Sequence, residues 1–152
     1  MIINGNGQPA RKCILVADDD ADDRELIKVA FEEKGAEAEI CFVENGEELL
    51  YYLHRRGKYK DEIQYPFPSL ILLDLNMPKK DGRDALREIK SDQLLKSLPI
   101  VILTTSTAAK DISHCYELGV NSYMIKPANF SDLVQFAGML HDYWFNTVQL
   151  PL

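Results

Sequence analysis

Five polar side chains at the ends of four apolar runs carry the chemistry open to this sequence. Asp18 and Asp19 follow Ile14-Leu15-Val16-Ala17, Asp74 follows Leu70-Ile71-Leu72-Leu73, Thr104 follows Ile100-Val101-Ile102-Leu103, and Lys126 follows Tyr123-Met124-Ile125. If these ends converge, three carboxylates share one pocket. Unit charges about 4 Å apart at an effective dielectric near 20 interact at about 4 kcal/mol, so the pocket needs positive charge. Lys126 supplies one, and a hard divalent cation that prefers oxygen ligands and keeps several waters supplies the rest, which describes Mg²⁺ better than zinc. A carboxylate beside Mg²⁺, an ammonium and a hydroxyl is equipped for phosphoryl transfer, in which positioning and charge neutralisation do most of the catalysis. Asp74 is then the nucleophile and becomes an acyl phosphate. Asp18, Asp19 and Asp74 hold the metal, Lys126 pairs with a phosphoryl oxygen, and Thr104 donates a hydroxyl hydrogen bond.

Convergence is what the surrounding elements predict. Short apolar runs separated by helical patterns read as buried parallel strands, and ligand sites in such sheets lie beyond the carboxyl ends of the strands. The first strand runs from about Lys12 to Ala17, and a helix over about Asp22 to Lys34 stops at Gly35. The second strand is Glu39 to Val43, followed by a helix with Asn45 as N-cap, Glu48 in capping-box position and Gly57 as terminator. After the third strand, Met77-Pro78 and Asp81-Gly82 turn into a helix over about Arg83 to Lys90. Ser106 or Thr107 is the predicted cap of the fourth helix, which ends at Gly119, and the fifth strand starts near Ser122. In the fifth helix Leu133, Phe136, Ala137, Leu140 and Trp144 form one apolar stripe. Five strands alternating with five helices give an α/β fold, a (βα)5 doubly wound parallel sheet of order 2-1-3-4-5. An acid ahead of a helix often only caps it, but one cap needs one acid and Asp20 is better placed than Asp18 or Asp19.

At 152 residues the chain is one domain's worth of sequence, divided as a loose leader (1–10), a folded unit (11–146) and a tail (147–152). A formal net charge of -7 argues against phosphate-backbone recognition, so nucleic acid is excluded as a partner and a protein is expected. With neither signal peptide nor membrane span, the expected location is cytoplasmic. Cys13, Cys41 and Cys115 lack metal or disulfide spacing and read as buried thiols, and His54, His114 and His141 read as ordinary helix residues.

The chain resembles the flavodoxin-like receiver domain of two-component response regulators. The resemblance spans about Lys12 to Tyr143 and rests on Asp18-Asp19, on Leu73-Asp74-Leu75-Asn76-Met77-Pro78 with Gly82, on Leu103-Thr104, and on Tyr123 ahead of Lys126-Pro127. It implies that Asp74 accepts a phosphoryl group from a histidine kinase and that the Asn76 backbone carbonyl completes the Mg²⁺ site. It also implies a cis Lys126-Pro127 bond, and a switch in which Thr104 shifts and Tyr123 turns inward, altering the surface of the fourth helix, fifth strand and fifth helix. Arg56-Gly57-Lys58-Tyr59-Lys60 with Pro66 and Pro68, the Pro78–Arg83 stretch, and the tail with Trp144 and Phe145 resemble the small regulators paired with cyanobacterial phytochromes, implying a phytochrome-type kinase as partner.

No effector domain follows the fifth helix, so output is expected through a partner, onward phosphotransfer or self-association. Apolar Met139, Tyr143, Phe145, Val148 and Leu150, with Trp144, predict a homodimer through the fourth helix, fifth strand, fifth helix and tail. Such a protein turns over only its own phosphate and is not otherwise an enzyme. A dehalogenase-like phosphatase would need a second acid where Asn76 stands. A flavin carrier would need a phosphate cradle where, without a metal, Asp18-Asp19-Asp20 would repel phosphate. No GxxxxGK loop supports nucleotide hydrolysis.

Overall fold

A computed structural model describes residues 12–151; the predicted leader at 1–10 lies outside the described residues. The elements alternate as β1 (Cys13–Ala17), α1 (Ala21–Glu33), β2 (Glu39–Val43), α2 (Gly46–Leu53), β3 (Leu70–Leu73), α3 (Gly82–Ser91), β4 (Ile100–Thr104), α4 (Ala109–Leu118), β5 (Ser122–Ile125) and α5 (Phe130–His141). The strands form one parallel sheet of order β2-β1-β3-β4-β5, as the crossover rules require. Side chains alternate between its faces. Leu15, Ile71, Leu73 and Ile102 pack with residues of α2, α3 and α4, while Ile14, Val16, Leu72 and Leu103 pack with α1 and α5. With both faces covered, β1, β3 and β4 are buried along their whole length.

Register sets the functional rim. Ala17 lies opposite both Val43 and Leu73, so Asp18 and Asp74 leave neighbouring strands at the same level. Thr104 lies opposite Ile125, which puts Lys126 one residue further out, its N–H donating to the Thr104 carbonyl at 2.8 Å.

Side chains cap four of the five α-helices, those of Asp20 and Asn45 as the sequence predicts. Asp20 accepts from the N–H groups of Asp22 and Asp23, and Asn45, Asp81 and Asn129 each accept from the third residue beyond, satisfying otherwise orphaned donors. The exception is α4, whose N-cap is Ala108 with no side-chain bond. Ser106 lies two residues ahead of that position; its hydroxyl donates to the Asp111 carboxylate at 2.6 Å and accepts from the Ala108 N–H at 3.4 Å.

Two further expectations are corrected. The Lys126-Pro127 bond is trans, in keeping with the ordinary preference of X-Pro bonds. Nor does the chain project Trp144 and Phe145: α5 continues into a π-helical turn, Asp142–Thr147, closed by the Val148 N–H donating to the Tyr143 carbonyl at 3.0 Å. An i→i+5 turn advances less angle per residue than an α-helix, so Phe145 follows Trp144 onto the face of Leu140. Both rings are buried in the α1/α5 core, with Val148 and Leu150 packed against them. Met139 and Tyr143 stay exposed, at 54% and 52%.

The long connection before β3 contains a 3₁₀ turn, Gly57–Lys60. Tyr52, Tyr59 and Tyr65 cluster there with ring centroids 4.8 to 6.0 Å apart, and Tyr52 Oη donates to the Pro66 carbonyl at 2.7 Å. Lys58 lies over the rings of Tyr59 and Tyr65, Arg55 over Tyr52 and Arg56 over Tyr51. The basic stretch is thus largely spent on its own aromatic neighbours. No disulfide joins the cysteines; Cys13 and Cys115 are buried and Cys41 is partly so.

Candidate functional site

The rim gathers the residues that the strand ends pointed to. Asp18 and Asp74 are buried carboxylates, whereas Asp19, one residue along, faces solvent. Oxygen atoms of Asp18, Asp19 and Asp74 all lie within 4.8 Å of one another, close enough to share one ion. Asp18 Oδ1 accepts from the Asp20 N–H at 2.9 Å, and Asp74 Oδ1 from the Asn76 N–H at 3.3 Å.

Lys126 reaches into this cluster from the end of β5. Its Nζ lies 2.8 Å from Asp18 Oδ2, 3.0 Å from Asp74 Oδ2 and 2.7 Å from Asp23 Oδ2. Three donors therefore meet three carboxylates. Burial is the largest single influence on the ammonium and opposes its charge, but hydrogen bonds to Asp18 and Asp23 and the fields of Asp18 and Asp74 outweigh it, holding the group above its ordinary range. For Asp18, burial wins over Lys126 and the Asp20 N–H, and the carboxyl is pushed above the usual carboxylate value. An acidic pocket still short of positive charge, with oxygen donors only, fits a hard divalent cation such as Mg²⁺.

Thr104 supplies a second indication. It is 0% exposed, and its Oγ1 has no hydrogen-bond partner among the described residues. An unsatisfied buried hydroxyl costs about 1–3 kcal/mol, which is tolerated at sites where a ligand later supplies the partner.

The acceptor strand is fixed from below. The Asp74 N–H donates to the Ala17 carbonyl at 3.0 Å, and the Gly82 N–H to the Leu75 carbonyl at 2.8 Å. A Cβ on Gly82 would lie 2.1 Å from the Asp74 carbonyl oxygen, so α3 can start against Asp74 only with glycine there.

On the other side of the rim, Tyr123 packs against the α2/α3/α4 core, and its Oη donates to the Ser106 carbonyl at 2.9 Å. Its ring is therefore already turned toward the β4–α4 loop. The same loop is braced by Asp111, which receives Arg83 Nε and Nη2 at 2.8 Å each and the Ser106 hydroxyl. The Arg83 fork and then Ser106 hold the Asp111 carboxyl well below its usual range. Sequence reasoning missed both Asp23 and the Arg83–Asp111 pair, because each is a contact between elements remote in the chain. Trp144 and Phe145, expected at an interface, lie apart from the rim, inside the α1/α5 core.

Comparison with known proteins agrees with this geometry. Residues 14–137 match the response regulator receiver domain family. Response regulator Rcp1 of a Synechocystis species is 38% identical over 149 residues, covering 98% of this chain and 99% of its own. Among solved structures, the phosphorylated cyanobacterial phytochrome response regulator RcpA superposes with a TM-score of 0.86 at 43% identity, covering 94% of this chain and all of its own. RPA3017, a response regulator in red light signalling of R. palustris, gives 0.87 at 37%, covering 93% and 99%. The strand order, the acidic rim and these end-to-end likenesses make the chain a member of the response regulator receiver family, related to the phytochrome response regulators.

Proposed function

We propose that this protein is a phosphoacceptor of a two-component pathway in the cytoplasm, in which Asp74 takes a phosphoryl group from the phosphohistidine of a phytochrome-type histidine kinase. The observation that carries the reading is the buried Asp74 carboxylate facing Lys126 on one side, in a rim where the Thr104 hydroxyl still lacks a partner. An Asp74 oxygen attacks phosphorus, the P–N bond breaks, and its electron pair returns to the imidazole. Lys126 transfers its hydrogen bond from the Asp74 carboxylate to a phosphoryl oxygen, and Thr104 Oγ1 donates to another. Asp18, Asp19, Asp74 and the Asn76 carbonyl are the ligands for Mg²⁺, which when bound neutralises the charge that builds on the transferring oxygens. That Rcp1 has been solved in a Mn²⁺-bound form supports a divalent cation here.

The signal leaves through the α4-β5-α5 surface, where Thr104 and Tyr123 couple the site to the Ser106 loop. Exposed Tyr116, Ile125 and Tyr143 suit this surface to self-association, with Trp144 and Phe145 anchoring the tail in the α1/α5 core. The deciding experiment incubates the native chain and Asp74→Asn with Mg²⁺ and acetyl phosphate. Intact mass should rise by one phosphoryl group in the native chain only, and light scattering should report a dimer; an unmodified native chain would refute the reading.

A further inference from the structure

We infer that Asp23 is a positioning residue for Lys126, the anchor that keeps the ammonium in place while its other two partners change roles. The inference rests on the phosphoacceptor reading. Of the three carboxylates on Lys126 Nζ, Asp18 and Asp74 belong to the metal and phosphoryl chemistry: one turns oxygens to the cation and the other is esterified. Asp23 alone is free of both duties, and it makes the shortest of the three contacts, 2.7 Å.

Its place in the fold explains how it can serve. Asp23 sits in the first turn of α1, where the helix N-terminus favours a carboxylate. The capping role there is already filled, since Asp20 Oδ1 accepts from both the Asp22 and Asp23 N–H groups. The Asp23 side chain is left to reach across to the end of β5, spanning a separation of 103 residues. An ordinary exposed ion pair is worth little, but the Lys126 side chain is only 14% exposed and its direction decides where its remaining hydrogens point. A lysine is a flexible point charge whose four-carbon stem must be held to be useful. With one N–H fixed on Asp23, the other two are aimed at Asp18 and Asp74, and after transfer they remain aimed at the metal ligand and the phosphoryl oxygen.

The test uses the full chain as native protein, Asp23→Ala, Asp23→Asn and, as control, Asp74→Asn. Each is incubated with Mg²⁺ and acetyl phosphate and followed by intact mass, and each is titrated with beryllofluoride, an unreactive phosphoryl mimic, with unfolding temperatures recorded in parallel. Loss of the anchor should slow phosphorylation about tenfold in Asp23→Ala and weaken beryllofluoride binding in step. Asp23→Asn retains an acceptor oxygen and should recover much of both, which a tether of α1 by charge alone would not do. Equal or faster phosphorylation of Asp23→Ala would overturn the inference, as would equal losses in both variants or a loss that tracks only unfolding temperature. If the native chain takes up no phosphoryl group, the parent reading fails and this one with it; if the native chain and Asp23→Ala match, only the anchor fails.

Discussion

Replacing Asp18 by Asn should stabilise the protein when divalent cations are removed, and the rim geometry gives the size of the effect. Asp18 Oδ2 gains about 6 kcal/mol from Lys126 at 2.8 Å if the effective dielectric is near 20. Against this, oxygen atoms of Asp19 and Asp74 lie within 4.8 Å, and each like-charge pair at that distance costs about 3.5 kcal/mol under the same assumption. The Coulomb contributions nearly cancel, and burial decides: it raises the Asp18 carboxyl above its ordinary value. A carboxyl whose folded pKa is raised contributes stability fully below the unfolded value, about 3.9, and loses it as pH rises through the folded value. At neutral pH without metal, the charge is therefore a cost. The amide removes it, although its NH₂ must then face either Lys126 or the Asp20 N–H, which offsets part of the gain. About 1 kcal/mol should remain, or about 2–4 °C in unfolding temperature for a chain of this length. With Mg²⁺ the order should change, since a ligand at a hundred times its Kd adds about 2.7 kcal/mol to a protein that binds it. Thermal unfolding in EDTA and in excess Mg²⁺ reads both effects. A lower unfolding temperature for Asp18→Asn in EDTA, or an undiminished Mg²⁺ response, would refute the charge balance drawn for the rim.

Gly82→Ala places a methyl against the Asp74 carbonyl and Leu75 Cα, both backbone, and should cost about 3 kcal/mol by overpacking; Gly35→Ala, at φ +64 with nothing within 4 Å, should cost about 1 kcal/mol by strain alone, both read by urea unfolding. Asp111→Asn should lose about 1–2 kcal/mol at pH 7. Because the Asp111 carboxyl is depressed, its contribution is present above the unfolded value of about 3.9 and fades as pH falls toward the folded one, so the gap between native and variant should narrow in acid titrations below that point. Tyr123→Ala should leave phosphorylation of Asp74 intact while weakening phosphate-dependent association, measured by light scattering with and without acetyl phosphate.

The rim was legible because each of its parts is the polar end of a buried run. Their strands are covered on both faces, Leu15 and Ile71 on one and Val16 and Leu72 on the other, so they read as unbroken apolar segments, and parallel register then brings Asp18 level with Asp74. Asp20 and Asn45 announced helix starts by short-range chemistry alone. Asp23 was not legible in this way. An acid in a helix's first turn looks the same whether it faces water or a lysine 103 residues away. Arg83 and Asp111 likewise resemble surface charges until α3 and α4 are packed side by side. Phe145 was misplaced because a helical stripe assumes a constant turn, and the widened turn after His141 changes the phase within a few residues.

The seam between Gly82 and Asp74 has a mechanical consequence. The Asp74 backbone is clamped by Ala17 behind it and by the start of α3 beneath it, so on the phosphoacceptor reading it has nowhere to recoil when a bulky dianion is attached. The opposite wall is built differently: Thr105, Thr107 and Ala108 lie in solvent, α4 begins without a side-chain cap, and the loop is held through Ser106 by Asp111 and Tyr123. On that reading, the push of a phosphoryl group falls on the loop rather than on the floor. A side chain at position 82 would force the floor away from Asp74 and deprive the site of that fixed backing.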